Sequence, residues 1–232
     1  MRQIDIGAAF RVAWPAYTKN ILMFAVIHAI VYVLNYTIIL GPIMMAGYLF
    51  AAMRAVRGEQ VEVGDAFSQF SGFGRYWLGA LIAIGIFMLG AMACCIGVLP
   101  AGALLMFMFP MMIDYGMGAG DAFNRCWQYF KQQWGLSLVF FLILSAFGFV
   151  QGMVNNVFVT VFTGPVHTTD PMEAFSATFW PSLGVGFVVG ILLGAFIWPF
   201  AYCLLIAAYD QVLGRNAPRP EQAAPAVYMA PE

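Results

Sequence analysis

The sequence predicts an all-α, polytopic membrane helix bundle: six transmembrane helices, led in by amphipathic interfacial helices. Three observations carry that prediction. Of the 232 residues, 62% are hydrophobic and 9% charged, against about 25% charged in a soluble domain, and the mean hydropathy is +0.84. Two uncharged runs, 34 residues from Asn20 to Met53 and 38 from Tyr76 to Ile113, are each long enough for a pair of helices across a ~30 Å hydrocarbon core. Finally, the ten Lys and Arg residues fall only in alternate connections between the predicted helices.

Residues 1–19 read as the first lead helix, with Phe10, Trp14 and Tyr17 on one face. Arg2, Asp5, Arg11 and Lys19 interrupt any short apolar core with a cleavage site, so this segment is expected to be retained. Helix one follows at about 20–40. Gly41-Pro42 breaks the run, because proline lacks an N–H and glycine permits a turn. Helix two, about 42–57, is short, so thinning of the bilayer or snorkelling of Arg54 is expected. A polar loop with Arg54, Arg57, Glu59, Glu62 and Asp65 comes next. Helices three and four, about 76–97 and 99–117, form a second hairpin broken at Gly97 to Pro100.

The stretch GAGDAFNRCWQYFKQQW, 118–134, is the most informative. Asp121 is a good N-cap residue. Phe123, Trp127, Phe130 and Trp134 stack on one helical face, with Asn124, Arg125, Gln128, Lys131 and Gln132 on the other. Such a helix belongs at a membrane–water interface, its rings at the acyl boundary or under the bundle. Helix five then runs to about 163, a polar turn spans 164–170, and helix six covers 183–213 with Pro199 as a kink. Residues 1–214 form a single membrane domain, and the Pro/Ala-rich 215–232 a disordered tail.

Phe10, Phe67 and Phe123 each open a small-residue–Ala–Phe segment, with a fainter copy around Phe175, and the four are spaced 57, 56 and 52 residues apart, which suggests an internal repeat of lead helix plus buried helix. Under the positive-inside rule the basic connections place both termini in the cytoplasm of a bacterial inner membrane. A competing layout has eight short helices, with a turn at Gln151 to Asn156 and a cytoplasmic His167.

Candidate chemistry is sparse. His28 and Asn35 share a face of helix one, and Gln151, Asn155 and Asn156 lie within helix five. Intramembrane polar groups must find partners in a dry medium, which makes them site candidates. The plainer reading is an interhelical hydrogen bond from His28 or Asn35 to a helix-five asparagine. Asp114 and Asp210 sit at cytoplasmic ends, open to solvent or a lead-helix arginine. Met88, Met92 and Cys95 form a soft-ligand row that could hold Cu(I), with Met44-Met45 and Met111-Met112 in reserve. Methionine is an ordinary filler of apolar helices, so no metal or cofactor is expected. Gly184, Gly186, Gly190 and Gly194 include the G-x-x-x-G spacing twice over, which allows close helix approach. Cys94, Cys95, Cys126 and Cys203 follow no zinc spacing and are expected as free thiols. Hydrolase, P-loop and dinucleotide signatures are absent, so no catalytic residue is assigned. A net charge of −1 argues against nucleic acid as partner.

The segments GPIMMAGYLFAAMRAVRGE (41–59), GDAFNRCWQYFKQQWG (120–135) and AYCLLIAAYDQVLG (201–214) resemble a loose group of uncharacterised bacterial inner-membrane proteins. That group includes the membrane region fused to some glycerophosphodiester phosphodiesterases. The resemblance implies six helices with a basic cytoplasmic segment before helix five, and no catalytic residues, since the phosphodiesterase domain is missing. The expected function is a non-enzymatic, lipid-interacting scaffold or accessory subunit, with membrane lipids and other membrane-protein subunits as partners. The alternative is a transporter or channel for a small solute or metal ion.

Overall fold

The computed structural model describes residues 3–35, 37–92, 97–163 and 171–214, with backbone alone for Thr163 and 171–179. Cys94 and Cys95, the turn expected at 164–170 with His167, and the tail expected from 215 lie outside the described residues. Those residues form eight α-helices: α1 Ile6–Lys19, α2 Ile21–Asn35, α3 Gly41–Val56, α4 Phe73–Met92, α5 Val98–Leu105, α6 Met108–Tyr115, α7 Ala119–Thr163 and α8 Pro171–Val212. No strand occurs among them.

Four stretches are long and apolar enough to cross a membrane: Val63–Met92, Val98–Tyr115, Ala119–Phe162 and Trp180–Val212. They mark a membrane protein. A fifth is added if α1 and α2, bent by 84° where they meet, count as one broken span. The six expected crossings exceed this because α2 and α3 have 15 and 16 residues. At 1.5 Å per residue each is roughly 24 Å long, short of the ~30 Å core.

Local chemistry accounts for the breaks. Asp5 caps α1 by accepting from the Ala8 N–H at 2.9 Å. Pro42 sits in the first turn of α3, where its missing N–H costs no bond. Pro110 does the same in α6, and the chain breaks at Met106–Phe107 just before it, dividing the expected helix four in two. Gly116 ends α6 at φ +65°, a conformation that favours glycine. α7 passes unbroken through Gln151 to Asn156, so the turn needed by an eight-helix layout does not form. Its kink is at Gln133 (φ −131°, ψ 33°), which separates the 119–132 segment from the long apolar part. α8 begins at Pro171, with Pro181 and Pro199 inside it.

Around Phe67 the expected lead helix is replaced by two 3-10 turns, Val63–Phe67 and Phe70–Gly72. Gly64, Ser68, Ser71 and Gly72 are weak helix formers, and Asp65 is committed elsewhere: its carboxylate takes the Glu62 N–H at 2.8 Å and the Arg54 guanidinium at 2.6 Å. Nor is this segment a simple external loop. It folds back along α3 until the Ala66 carbonyl lies against Gly47, where a Cβ would overlap it. α4 therefore begins partway along the bundle, and its Trp77 indole donates to the Ile39 carbonyl in the α2–α3 turn at 2.8 Å.

α8 is the hub, packed against α1, α2, α3 and α7. α3 is buried nearly all round, through Ala46, Gly47, Ala51, Ala52 and Ala55 as well as Tyr48 and Met53. A helix apolar on every side needs such a setting.

Candidate functional site

Two polar constellations are held by this scaffold. The first ties three helix ends together. Just past α3, Arg57 donates to Asp210 of α8 through Nη2 at 2.8 Å and Nε at 3.2 Å, and to Asp114 of α6 through Nη1 at 2.9 Å. The Tyr209 hydroxyl donates to the other oxygen of Asp114 at 3.1 Å. Burial works against the guanidinium's charge, but the bonds to Asp210 and Asp114 outweigh it, so its pKa lies above the ordinary arginine value. Planar, forked donors match two carboxylates in a way an ammonium does not. The partner of Asp114 and Asp210 is thus Arg57 and not a lead-helix arginine, as the sequence suggested. Nearby, Arg75 donates to the Gly116 carbonyl at 2.8 Å, and Asp5 and Gln211 exchange two bonds of 2.8 and 3.2 Å.

The second constellation lies between apolar helices. Gly186, Gly190 and Gly194, four residues apart, form a stripe on α8. A Cβ at Gly194 would overlap His28 Nε2 and lie 3.2 Å from Gln151 Nε2; one at Gly190 would overlap the Tyr32 hydroxyl; one at Gly186 would lie 3.6 Å from Asn155 Nδ2. α2 and α7 therefore both direct polar side chains into one seam. His28 is 5% exposed. Its Nδ1 faces the Tyr48 hydroxyl at 3.4 Å, while Nε2, Gln151 Oε1 and Asn155 Oδ1 are buried without a hydrogen-bond partner.

The expected site residues separate. His28 and Asn155 reach the seam. Asn35 does not: it is exposed where α2 ends, and its Oδ1 would lie 2.8 Å from a Cβ on Gly41. Asn156 is exposed, one residue round the helix from Asn155. The anticipated bond from His28 to a helix-five asparagine is absent; Gln151 is the α7 residue beside it, and Tyr48 takes the hydrogen bond. Heptad spacing (28 to 35) kept two residues on one face but could not show that the helix ends at the second. The pairing with the Gly194 position was signalled only by the glycine spacing.

On the 119–132 part of α7 the buried stripe is Ala119, Ala122, Cys126 and Tyr129. Phe123 and Phe130 flank it half-buried, and Trp127 and Trp134 are exposed. Its cations lie on rings: Arg125 over Tyr115 at 5.4 Å and Lys131 over Trp127 at 5.0 Å. Met88 and Met92 are exposed, whereas Met44, Met111 and Met112 are buried in the core, so they form no common site. Cys126 and Cys203 are free and buried. No group of three His, Cys, Asp or Glu side chains able to hold a metal ion occurs among the described residues.

The chain matches no known protein family, no curated protein and no solved structure. Its function has to be read from these two constellations and the surface around them.

Proposed function

We propose that the protein is a non-enzymatic integral protein of a bacterial inner membrane, a lipid-interacting scaffold or accessory subunit of a membrane complex. The observation that supports this most is the use of the intramembrane polar side chains. His28, Gln151 and Asn155 are packed into a glycine stripe too tight for a Cβ at two of its three positions. Close small-residue seams of this kind associate helices; a solute path needs polar groups arrayed along an opening.

In this reading the membrane is crossed six times, by α2, α3, α4, α5 with α6, the part of α7 after Gln133, and α8. α1 and the 119–132 segment lie at the interface, which the 84° bend and the Gln133 kink favour. Arg54 and Arg57 at the end of α3, Arg75 in the first turn of α4, and Arg125 and Lys131 in the 119–132 segment would then share one side, which the positive-inside rule would make cytoplasmic. The resemblance to the uncharacterised inner-membrane group belongs to the same proposal, since two of its segments supply Arg57 and Asp210.

The three unpartnered atoms of the seam favour the second reading, a transporter or channel for a small solute or metal ion. Purification of the full chain from its native membrane, with reconstitution into vesicles, separates the two. The scaffold reading expects a reproducible co-purifying membrane protein, retained by His28→Ala, and vesicles impermeable to protons and small solutes. A flux lost in His28→Ala at unchanged thermal stability would overturn it.

A further inference from the structure

We propose that the groove between α1 and the α7–α8 pair binds one anionic phospholipid whose head carries a hydroxyl, its chain on the aromatic floor and its head on the Arg11 guanidinium and the Arg11 carbonyl. This rests on the membrane reading above and names a specific lipid and a specific place for it.

The groove is open along one side, has a volume of about 550 Å³ and is lined by Phe10, Arg11, Trp14, Pro15, Phe147 and Phe200, with almost wholly apolar walls. That volume falls within the roughly 300–1,000 Å³ of small-molecule sites. Phe200 is the centre of the floor: the rings of Phe10, Trp14 and Phe147 each lie 5.7 Å from it and that of Tyr17 5.8 Å. Four rings edge-on or tilted against a fifth hold one another in place. The result is a rigid apolar trough of the kind an acyl chain fills, with Trp14 still 58% exposed along it.

The groove has one charged residue and one special backbone group. Arg11 is exposed and forms no ion pair among the described residues. Pro15 lies inside α1, and having no N–H it cannot donate to the carbonyl four residues back, which is that of Arg11. The Thr18 hydroxyl does not substitute, since it donates to the Trp14 carbonyl at 3.0 Å and that of Pro15 at 3.3 Å. Asp5 is engaged too, with the Ala8 N–H and with Gln211. A cation with no anion among the described residues and a carbonyl deprived of its i+4 donor thus sit on the same helix, beside the same apolar trough. An anionic phosphodiester with a hydroxylated head satisfies both groups. A choline head supplies no donor, and an ethanolamine head supplies donors without net negative charge.

The test uses the full chain in vesicles of phosphatidylglycerol, phosphatidylethanolamine or phosphatidylcholine with brominated chains. The readout is the fluorescence quenching that is lost in Trp14→Phe. Relative affinity should fall in the order glycerol, ethanolamine, choline, with about five-fold between the first two, as for one cation near an anionic surface, and a further step to choline. Arg11→Gln should bring phosphatidylglycerol down to the ethanolamine level. Pro15→Ala, which restores the N–H, should bring ethanolamine down to the choline level without unfolding α1. Equal quenching by all three lipids in the unaltered chain would overturn the headgroup assignment. Absence of Trp14 quenching by any of them would overturn the site, and would mean that protein, such as a second copy, fills the groove. Solute flux is measured separately: flux with the lipid order intact removes the scaffold reading alone, and a lost order without flux removes only the lipid site.

Discussion

The two ends of α8 live in different worlds, and the rest of the molecule follows them. From Cys203 to Tyr209 every residue is buried, and the helix finishes in the Arg57–Asp114–Asp210 knot. Nearer its start, Leu183, Val188, Leu192 and Phe196 are exposed, as are Phe149, Val150, Val157 and Phe162 on the α7 stretch running antiparallel to it. The first region is held as a soluble core is held, by burial of apolar surface and by fully partnered charge. The second keeps its polar atoms half-satisfied and its large apolar side chains outward, as a helix pair does when lipid and not water is its solvent. Stability is therefore expected to be concentrated at the knot, and adaptability in the α7–α8 hairpin.

Breaking the knot should have the largest effect. Arg57→Met leaves Asp114, whose side chain is 2% exposed, without its cation. Removing one partner of a buried pair costs about 3–5 kcal/mol. Denaturant unfolding in detergent should show that loss, with partial recovery on adding Asp210→Asn. A change within 1 kcal/mol would mean that the knot is solvated, and the contrast between the two ends would go with it.

Next in size is a pair of glycine substitutions, one in each region. In Gly47→Ala the new methyl meets the backbone carbonyl of Ala66, which cannot turn aside; overpacking of this kind costs about 1–3 kcal/mol, and this site belongs at the upper end. In Gly194→Ala it meets the His28 ring and the Gln151 amide, and side chains can rotate away, so the loss should be clearly smaller. Equal losses would show that the seam is as rigid as the core.

Helix positions were partly legible from local features, namely the uncharged runs, Gly41-Pro42 and the change of character near Trp134, whereas the break expected at Gly97 to Pro100 is not there, since Val98 to Pro100 open α5. Which face turns inward was not. The aromatic stripe Phe123, Trp127, Phe130 and Trp134 is conspicuous, yet the buried stripe of that helix is Ala119, Ala122, Cys126 and Tyr129. Lipid is as apolar as a large side chain, so large residues gain little by turning inward, whereas small ones allow helices to approach. Hydrophobic size therefore fails as a guide to burial here. α1 repeats the lesson, with Ala9, Ala13 and Ala16 buried beside Tyr17 and Trp14 left largely outside. The knot was hidden for another reason: Arg57 and Asp210 are 153 positions apart, and no local pattern joins them. Gln151 was visible as a polar residue in helix five, but its proximity to His28 depends on how α2 and α7 both lean on α8.

The smallest expected effect is the most discriminating, because its sign decides the matter. Asn155 Oδ1 is buried in the seam without a partner, and Asn155 and leucine have similar shapes. If the seam is dry, the unpaired carbonyl is a standing penalty of about 1–3 kcal/mol, and Asn155→Leu removes polar group and penalty together. Stability should then be unchanged or somewhat higher, even though a residue within the hairpin interior has been altered. If instead a bound water or solute supplies the missing partner, the same substitution destroys a real hydrogen bond. The loss should then be about 0.6 kcal/mol and at most about 1.7, the average and maximum measured for such bonds between membrane helices. Asn156→Ala, on the exposed side of the same turn, controls for changes in helix propensity and should stay within about 0.5 kcal/mol. A gain or no change at Asn155 supports packing and the scaffold reading. A loss there, with Asn156 silent, would make the seam an occupied polar site and give the transporter reading the stronger claim.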